Sequence, residues 1–172
     1  MLIPPCNQPH TATRVYSESR SSTGAEPRVI NRRALPSLVP TTFHSRIQWK
    51  LVTLLRQQGI DALPEVRIRL RDRKSLIPDV VAAPELQGPY PTEPVLLCVE
   101  ILSPGEHLRA TLAKCEQYHA WGVPFCWVVD PEKQTGWQYH SGGEPEHVER
   151  GGTITAGELS VHLEELFSDQ PR

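Results

Sequence analysis

One stretch of this chain has few structural options. Val95-Leu96-Leu97-Cys98-Val99-Glu100-Ile101-Leu102 is apolar at every position but one, and Pro104 and Gly105 close it. A near-continuous apolar run of this kind reads as a strand covered on both faces, and so as a central one. Glu100 is the exception inside it. An isolated carboxylate in such surroundings is costly, so it calls for a metal, a cation or a proton. Asp79 has a similar setting, after Pro78 and before Val80 and Val81 in the apolar segment Ile77 to Ala83. Carboxylates on adjacent strands can converge on one point, the oxygen-rich arrangement that Mg²⁺ prefers. The same pair is also compatible with strand-end acids that face solvent or meet an arginine.

The rest of the chain supplies partners for these two strands. Thr41 or Thr42 caps a helix on which Ile47, Leu51, Leu54 and Leu55 recur at helical spacing, ending near Gly59. Val66, Ile68 and Leu70 alternate with Arg67, Arg69 and Arg71, the period-two pattern of a half-buried strand, and Asp72 to Ser75 forms a polar turn. After the Glu100 strand, Leu108, Leu112, Cys115 and His119 trace a second helix to Trp121, stopped by Gly122 and Pro124. Phe125 to Val129 is another buried strand. The turn at Asp130-Pro131 leads into a hairpin partner from Gly136 to His140, then a late strand near Thr153 to Thr155 and a short helix near Leu163 to Phe167. Helix, three strands, helix, strand describes a mixed sheet with helices against it, of α/β (α+β) class.

Composition limits what such a domain can do. The net charge of −2 gives no global positive field, so any contact with nucleic acid is local. The richest local patch is Arg67, Arg69, Arg71, Arg73 and Lys74, either a solvated edge that discourages strand pairing or a phosphate-contacting face. Cys6, Cys98, Cys115 and Cys126 form no C-x-x-C pair, and the last three lie in apolar surroundings as buried free thiols do in a reducing compartment. No stretch approaches the roughly 18 apolar residues of a membrane span, and nothing resembles a signal peptide, so the expected location is the cytoplasm. Residues 1–28, rich in proline, serine and threonine, read as a disordered leader, with a single domain over 29–172.

Lys114 lies on a helical wheel between Thr111 and Tyr118, at the margin of the apolar stripe, aimed along the boundary between helix and sheet. Alone it could equally be a lysine that snorkels to solvent. Taken together, Pro78-Asp79-Val80-Val81, Val99-Glu100-Ile101-Leu102-Ser103-Pro104, Lys114 with Tyr118, and Gly122-Val123-Pro124 leading to Trp127-Val128-Val129-Asp130-Pro131 resemble the Uma-two family of bacterial putative restriction endonucleases. The likeness spans residues 40–140 and includes His44 at the start of the first helix.

That resemblance implies a restriction-endonuclease-like PD-(D/E)XK fold with core order αβββαβ. It implies a metal-dependent endonuclease with Asp79, Glu100 and Lys114 as the catalytic set. Mg²⁺, or Mn²⁺ in its place, would be held by Asp79, Glu100 and the carbonyl of Ile101, and Tyr118, Ser103 and His44 would contact substrate. The implied partner is nucleic acid, DNA first, and nucleases of this sort often act as homodimers. The chain departs from the pattern in three places. Leu102 stands where the superfamily carries a lysine, a role the resembling family moves to the position of Lys114. Arg28 to Arg33 stands where relatives have an acidic segment, with Glu26 the nearest acid, and Ala110 where many have an acid on the second helix.

Residue by residue, plainer readings stand beside these. Tyr118 is a packing aromatic or a group that fixes Lys114. His44 is a cap-region or surface histidine or a substrate contact, and Trp121 and Trp127 pack the corner between helix and strand. At the level of function, the missing acid motivates one rival, an inactive nuclease-fold module that binds nucleic acid or protein. An enzyme on an unrelated small substrate would instead need a deep apolar pocket.

Overall fold

The computed structural model describes residues 41–69 and 75–168. The expected leader, Cys6, Glu26, the 28–33 segment and residues 70–74 of the arginine-rich stretch lie outside them. Helix α1 (Thr42–Gln57) begins where expected, with the Thr41 side chain accepting from the His44 N–H at 3.2 Å. It turns Ile47, Leu51, Leu54 and Leu55 inward and ends before Gly59, whose φ of 83° suits a residue without a Cβ.

Among the described residues ten strands follow: β1 (Asp61–Pro64), β2 (Ile68–Arg69), β3 (Ser75–Leu76), β4 (Val80–Ala83), β5 (Leu97–Ile101), β6 (Phe125–Asp130), β7 (Thr135–His140), β8 (Glu146–Val148), β9 (Thr153–Ala156) and β10 (Leu159–His162). The main sheet runs in the order β1-β4-β5-β6-β7-β8, antiparallel throughout except for β5 and β6. That parallel pair requires a crossover, which α2 (Leu108–Trp121) provides. All five residues of β5 are buried, as its apolar run demands. Alternation divides them: Leu97, Val99 and Ile101 enter the core shared with α1, β9, β10 and α3 (Leu163–Phe167), whereas Cys98 joins the core under α2. Glu100 is on the α2 side.

The helix, three-strand, helix, strand order holds, but its first strand is not the one expected. The arginine-alternating segment contributes only β2, which pairs with β3 in a separate two-stranded arm, Ile68 buried and Arg67 and Arg69 exposed. Arg69 lies over the Tyr90 ring at 4.5 Å. The core strand is β1, Asp61-Ala62-Leu63-Pro64, whose alanine and proline carry little strand signal. At the edge of the sheet it tolerates proline, because among the described residues no further strand needs its missing N–H. Ile77 likewise falls outside β4 and is exposed.

On α2 the buried face is Thr111, Cys115 and Tyr118, rotated from the expected stripe, with Leu108, Leu112 and Trp121 half-buried at its margins. Gly122 caps the helix at φ 114°, its N–H bonded to the carbonyls of Tyr118 and His119. Trp121 packs at this corner as expected. Trp127 does not: it is buried on the opposite face, where its indole N–H donates to the Thr155 carbonyl at 2.8 Å. Cys98, Cys115 and Cys126 are free and buried. Among the described residues no helix is long and apolar enough to cross a membrane.

Candidate active site

Register brings the two acids together. Val80 pairs with Val99, so the next antiparallel rung sets Asp79 beside Glu100 at the ends of β4 and β5. Asp79 is pinned by its own backbone: its carbonyl accepts from the Gln48 amide at 2.9 Å and the Glu65 N–H at 3.1 Å. Its carboxylate bridges two elements, with Oδ2 accepting from the Ile101 N–H at 2.6 Å and Oδ1 lying 3.1 Å from His44 Nε2. His44 is therefore buried against Asp79, which excludes the surface-histidine reading.

Glu100 is 4% exposed and answered by α2. Lys114 Nζ donates to its Oε2 at 3.0 Å, and the Tyr118 hydroxyl donates to its Oε1 at 2.5 Å. Lys114 and Tyr118 are one helical turn apart, which is why one face of α2 supplies both. Tyr118 thus touches Glu100 rather than Lys114.

Charge follows burial. Burial pushes the Glu100 pKa above its ordinary range; Lys114 and Tyr118 oppose the rise, and the neighbouring Asp79 charge adds to it. For Lys114 burial pulls downward, but attraction to Glu100, with Glu106 and Asp79 behind it, wins and the pKa is raised, so the amine is charged at neutral pH. Both pKa values rise, which opposes the charge on Glu100 and favours that on Lys114, because Glu100 is nearly sealed while the Lys114 side chain is 39% exposed. The hydrogen bond to Asp79 raises His44 against the effect of its burial, with Glu65 and Glu106 adding their pull. Burial and Glu100 drive Tyr118 far upward, so it remains a donor.

The donors suit a hard divalent cation. Asp79, Glu100 and the Ile101 carbonyl offer oxygen only, and the Asp79–Glu100 repulsion is what a cation between them relieves. Among the described residues no group of three or more His, Cys, Asp and Glu is placed to hold a metal. Mg²⁺ asks for less, one or two carboxylates with water and phosphate completing its shell.

A family model described as "Putative restriction endonuclease", Uma2, matches residues 29–168. The chain belongs to the Uma2 family. Chains of solved structures that match include one from Anabaena variabilis ATCC 29413, described as a putative nuclease belonging to DUF820. It is 23% identical, covered over 76% of this chain and 83% of that one, with a TM-score of 0.65, a likeness of fold. A second is in a cryo-EM DrdV–DNA complex, at 17% identity over 72% of this chain and 11% of that one, with a TM-score of 0.46. No curated protein matches.

Within this Uma2 chain, Ser103 is linked to the Asp79–Glu100–Lys114 cluster only through its backbone N–H, which donates to the Glu106 carboxylate at 3.2 Å. Glu106 is a residue that sequence reasoning missed. Its Oε1 lies 3.5 Å from Lys114 Nζ, so the lysine sits between two acids. Its spacing, eight residues before Lys114 and in the loop ahead of the helix, gave no periodic signal. Gln48 was missed too, although its place one turn after His44 on the inward face of α1 was readable.

Proposed function

We propose that this Uma2 protein is a metal-dependent endonuclease hydrolysing phosphodiester bonds of nucleic acid, with DNA as substrate and Asp79, Glu100 and Lys114 as catalytic residues. The single observation that carries this is the meeting of two strand-end carboxylates with a charged lysine from the crossover helix. Asp79, Glu100 and the Ile101 carbonyl would hold Mg²⁺, or Mn²⁺ in its place, which when bound supplies polarisation of a phosphoryl oxygen and a lower pKa for an attacking water.

The chain's own groups do the rest. Lys114, cationic and partly solvent-facing, orients the water and offsets negative charge as it grows on the phosphoryl oxygens. Tyr118 fixes the rotamer of Glu100, and His44 that of Asp79, so neither acid has to be ordered when substrate arrives. Nucleases of this sort often act on both strands of a duplex as homodimers, so a homodimer is part of this proposal. Buried free thiols are in keeping with work in the cytoplasm.

Cleavage of a labelled duplex in Mg²⁺ tests the assignment. Glu100→Gln is expected to lower the rate by roughly two orders of magnitude or more; undiminished cutting in that variant overturns it. One observation favours a rival, an inactive binding module: all four carboxylate oxygens of the acid pair already face a protein donor. Calorimetric titration with Mg²⁺ or Mn²⁺ separates the two, since the rival shows no metal uptake that depends on Asp79 and Glu100.

A further inference from the structure

A cavity of about 390 Å³ reaches the acid pair through His44, and none of the proposed roles uses it. His44 is common to both: its ring meets Asp79 on one side and lines this cavity on the other. Leu102 and Pro104, from the chain just past Glu100 and Ile101, line it together with Pro131. Phe43, next to His44 on α1, also lines the cavity and is 44% exposed, which leaves its side chain accessible to a ligand.

The wall at Pro131 is held in shape. Asp130 is buried, and its Oδ1 accepts from the N–H groups of Glu132 and Lys133 at 3.0 and 3.1 Å, which locks the turn that carries Glu132 and Gln134 into the lining. Gln134 has a φ of 56°, one of two non-glycine residues with positive φ among those described; the other is Glu65, which holds the Asp79 carbonyl.

The lining chooses the ligand. Among the described residues that line the cavity there is no lysine or arginine and one carboxylate, Glu132, a lining that does not favour a phosphate. A flat, uncharged group with hydrogen-bond donors on its edge fits instead: a ring face against Phe43 and the prolines, an exocyclic amine toward Glu132. We infer that this cavity is a subsite for an unstacked nucleobase, with Phe43 stacking on the base next to the phosphate that is cut. The inference rests on the nuclease reading and adds to it a residue that positions substrate.

Fluorescence of a short single-stranded oligodeoxynucleotide carrying 2-aminopurine tests it, with Ca²⁺ in place of Mg²⁺ so that binding is read without cutting. The wild-type protein should quench the probe, and Phe43→Ala should lose the quenching and bind about tenfold more weakly, while Phe43→Trp keeps both. The same oligonucleotide with an abasic site in place of 2-aminopurine should bind wild type as weakly as the intact probe binds Phe43→Ala. Equal quenching and affinity in wild type and Phe43→Ala, or no quenching by wild type, overturns the subsite. Cleavage in Mg²⁺ is scored separately. Phe43-dependent binding without any cleavage supports the subsite and overturns the nuclease reading, and cleavage with Phe43-independent binding does the reverse.

Discussion

A carboxylate enclosed in a strand is tolerated only while its charge is answered, and Glu100 is answered by an amine and a phenol from the same helix turn. Removing the phenol is the cleaner perturbation, because it leaves a buried acceptor short of a donor without removing a charge. Tyr118→Phe should cost about 1–3 kcal/mol in urea unfolding, with the Glu100 pKa rising further. On the Asp79 side, the His44 pKa is raised in the folded protein from an ordinary 6.5. Folding therefore favours the protonated ring, and the stability gained is fully present below pH 6.5 and lost as pH rises through the higher folded value. The Tm advantage of wild type over His44→Gln should shrink across that window; a gap independent of pH would show that the ring acts by packing alone. His44 could be read from the chain as a residue of the first helix turn. Its burial and its bond to Asp79 could not, because Asp79 is 35 positions away.

At the scale of elements, the ends of α2 set where Lys114 points. A Cβ on Gly122 would stand 2.8 Å from Cγ of Pro94, at a φ of 114° that L side chains rarely adopt. Gly122→Ala should therefore destabilise by more than about 1 kcal/mol and lower Tm by several degrees in calorimetry. A Tm equal to wild type would mean the cap relaxes without strain. The stop at Gly122 was legible, since glycine followed by Pro124 is a strong helix end. The buried face of α2 was less so. Its leucines promised a hydrophobic stripe, but Tyr118 has to reach Glu100, and the helix turns Thr111, Cys115 and Tyr118 inward instead. The first core strand was hidden for a related reason. Val66 to Arg71 alternates more convincingly than Asp61 to Pro64, yet it is β1 that finds β4 as a neighbour.

For the whole molecule, a cation that binds only the folded site adds stability by mass action, about 2.7 kcal/mol at a hundred times its Kd. Mg²⁺ should raise the Tm of wild type by several degrees and leave Asp79→Asn and Glu100→Gln unmoved; equal shifts in all three would place the ion elsewhere. What the sequence by itself determined was everything written in local periodicity and in misfits. The covered strand with an acid inside it and the two helices and their stops follow from patterns a few residues long, whereas the grouping of Asp79, Glu100 and Lys114 was implied by the family resemblance. Tertiary structure alone decided which short strand closes the sheet and which face α2 buries. It also decided that His44, Glu106 and Gln48 surround the acid pair and that a cavity lined by Phe43 adjoins it. These depend on pairing and packing between segments far apart in the chain, where the free energy of contact overrides local propensity and leaves no mark on spacing.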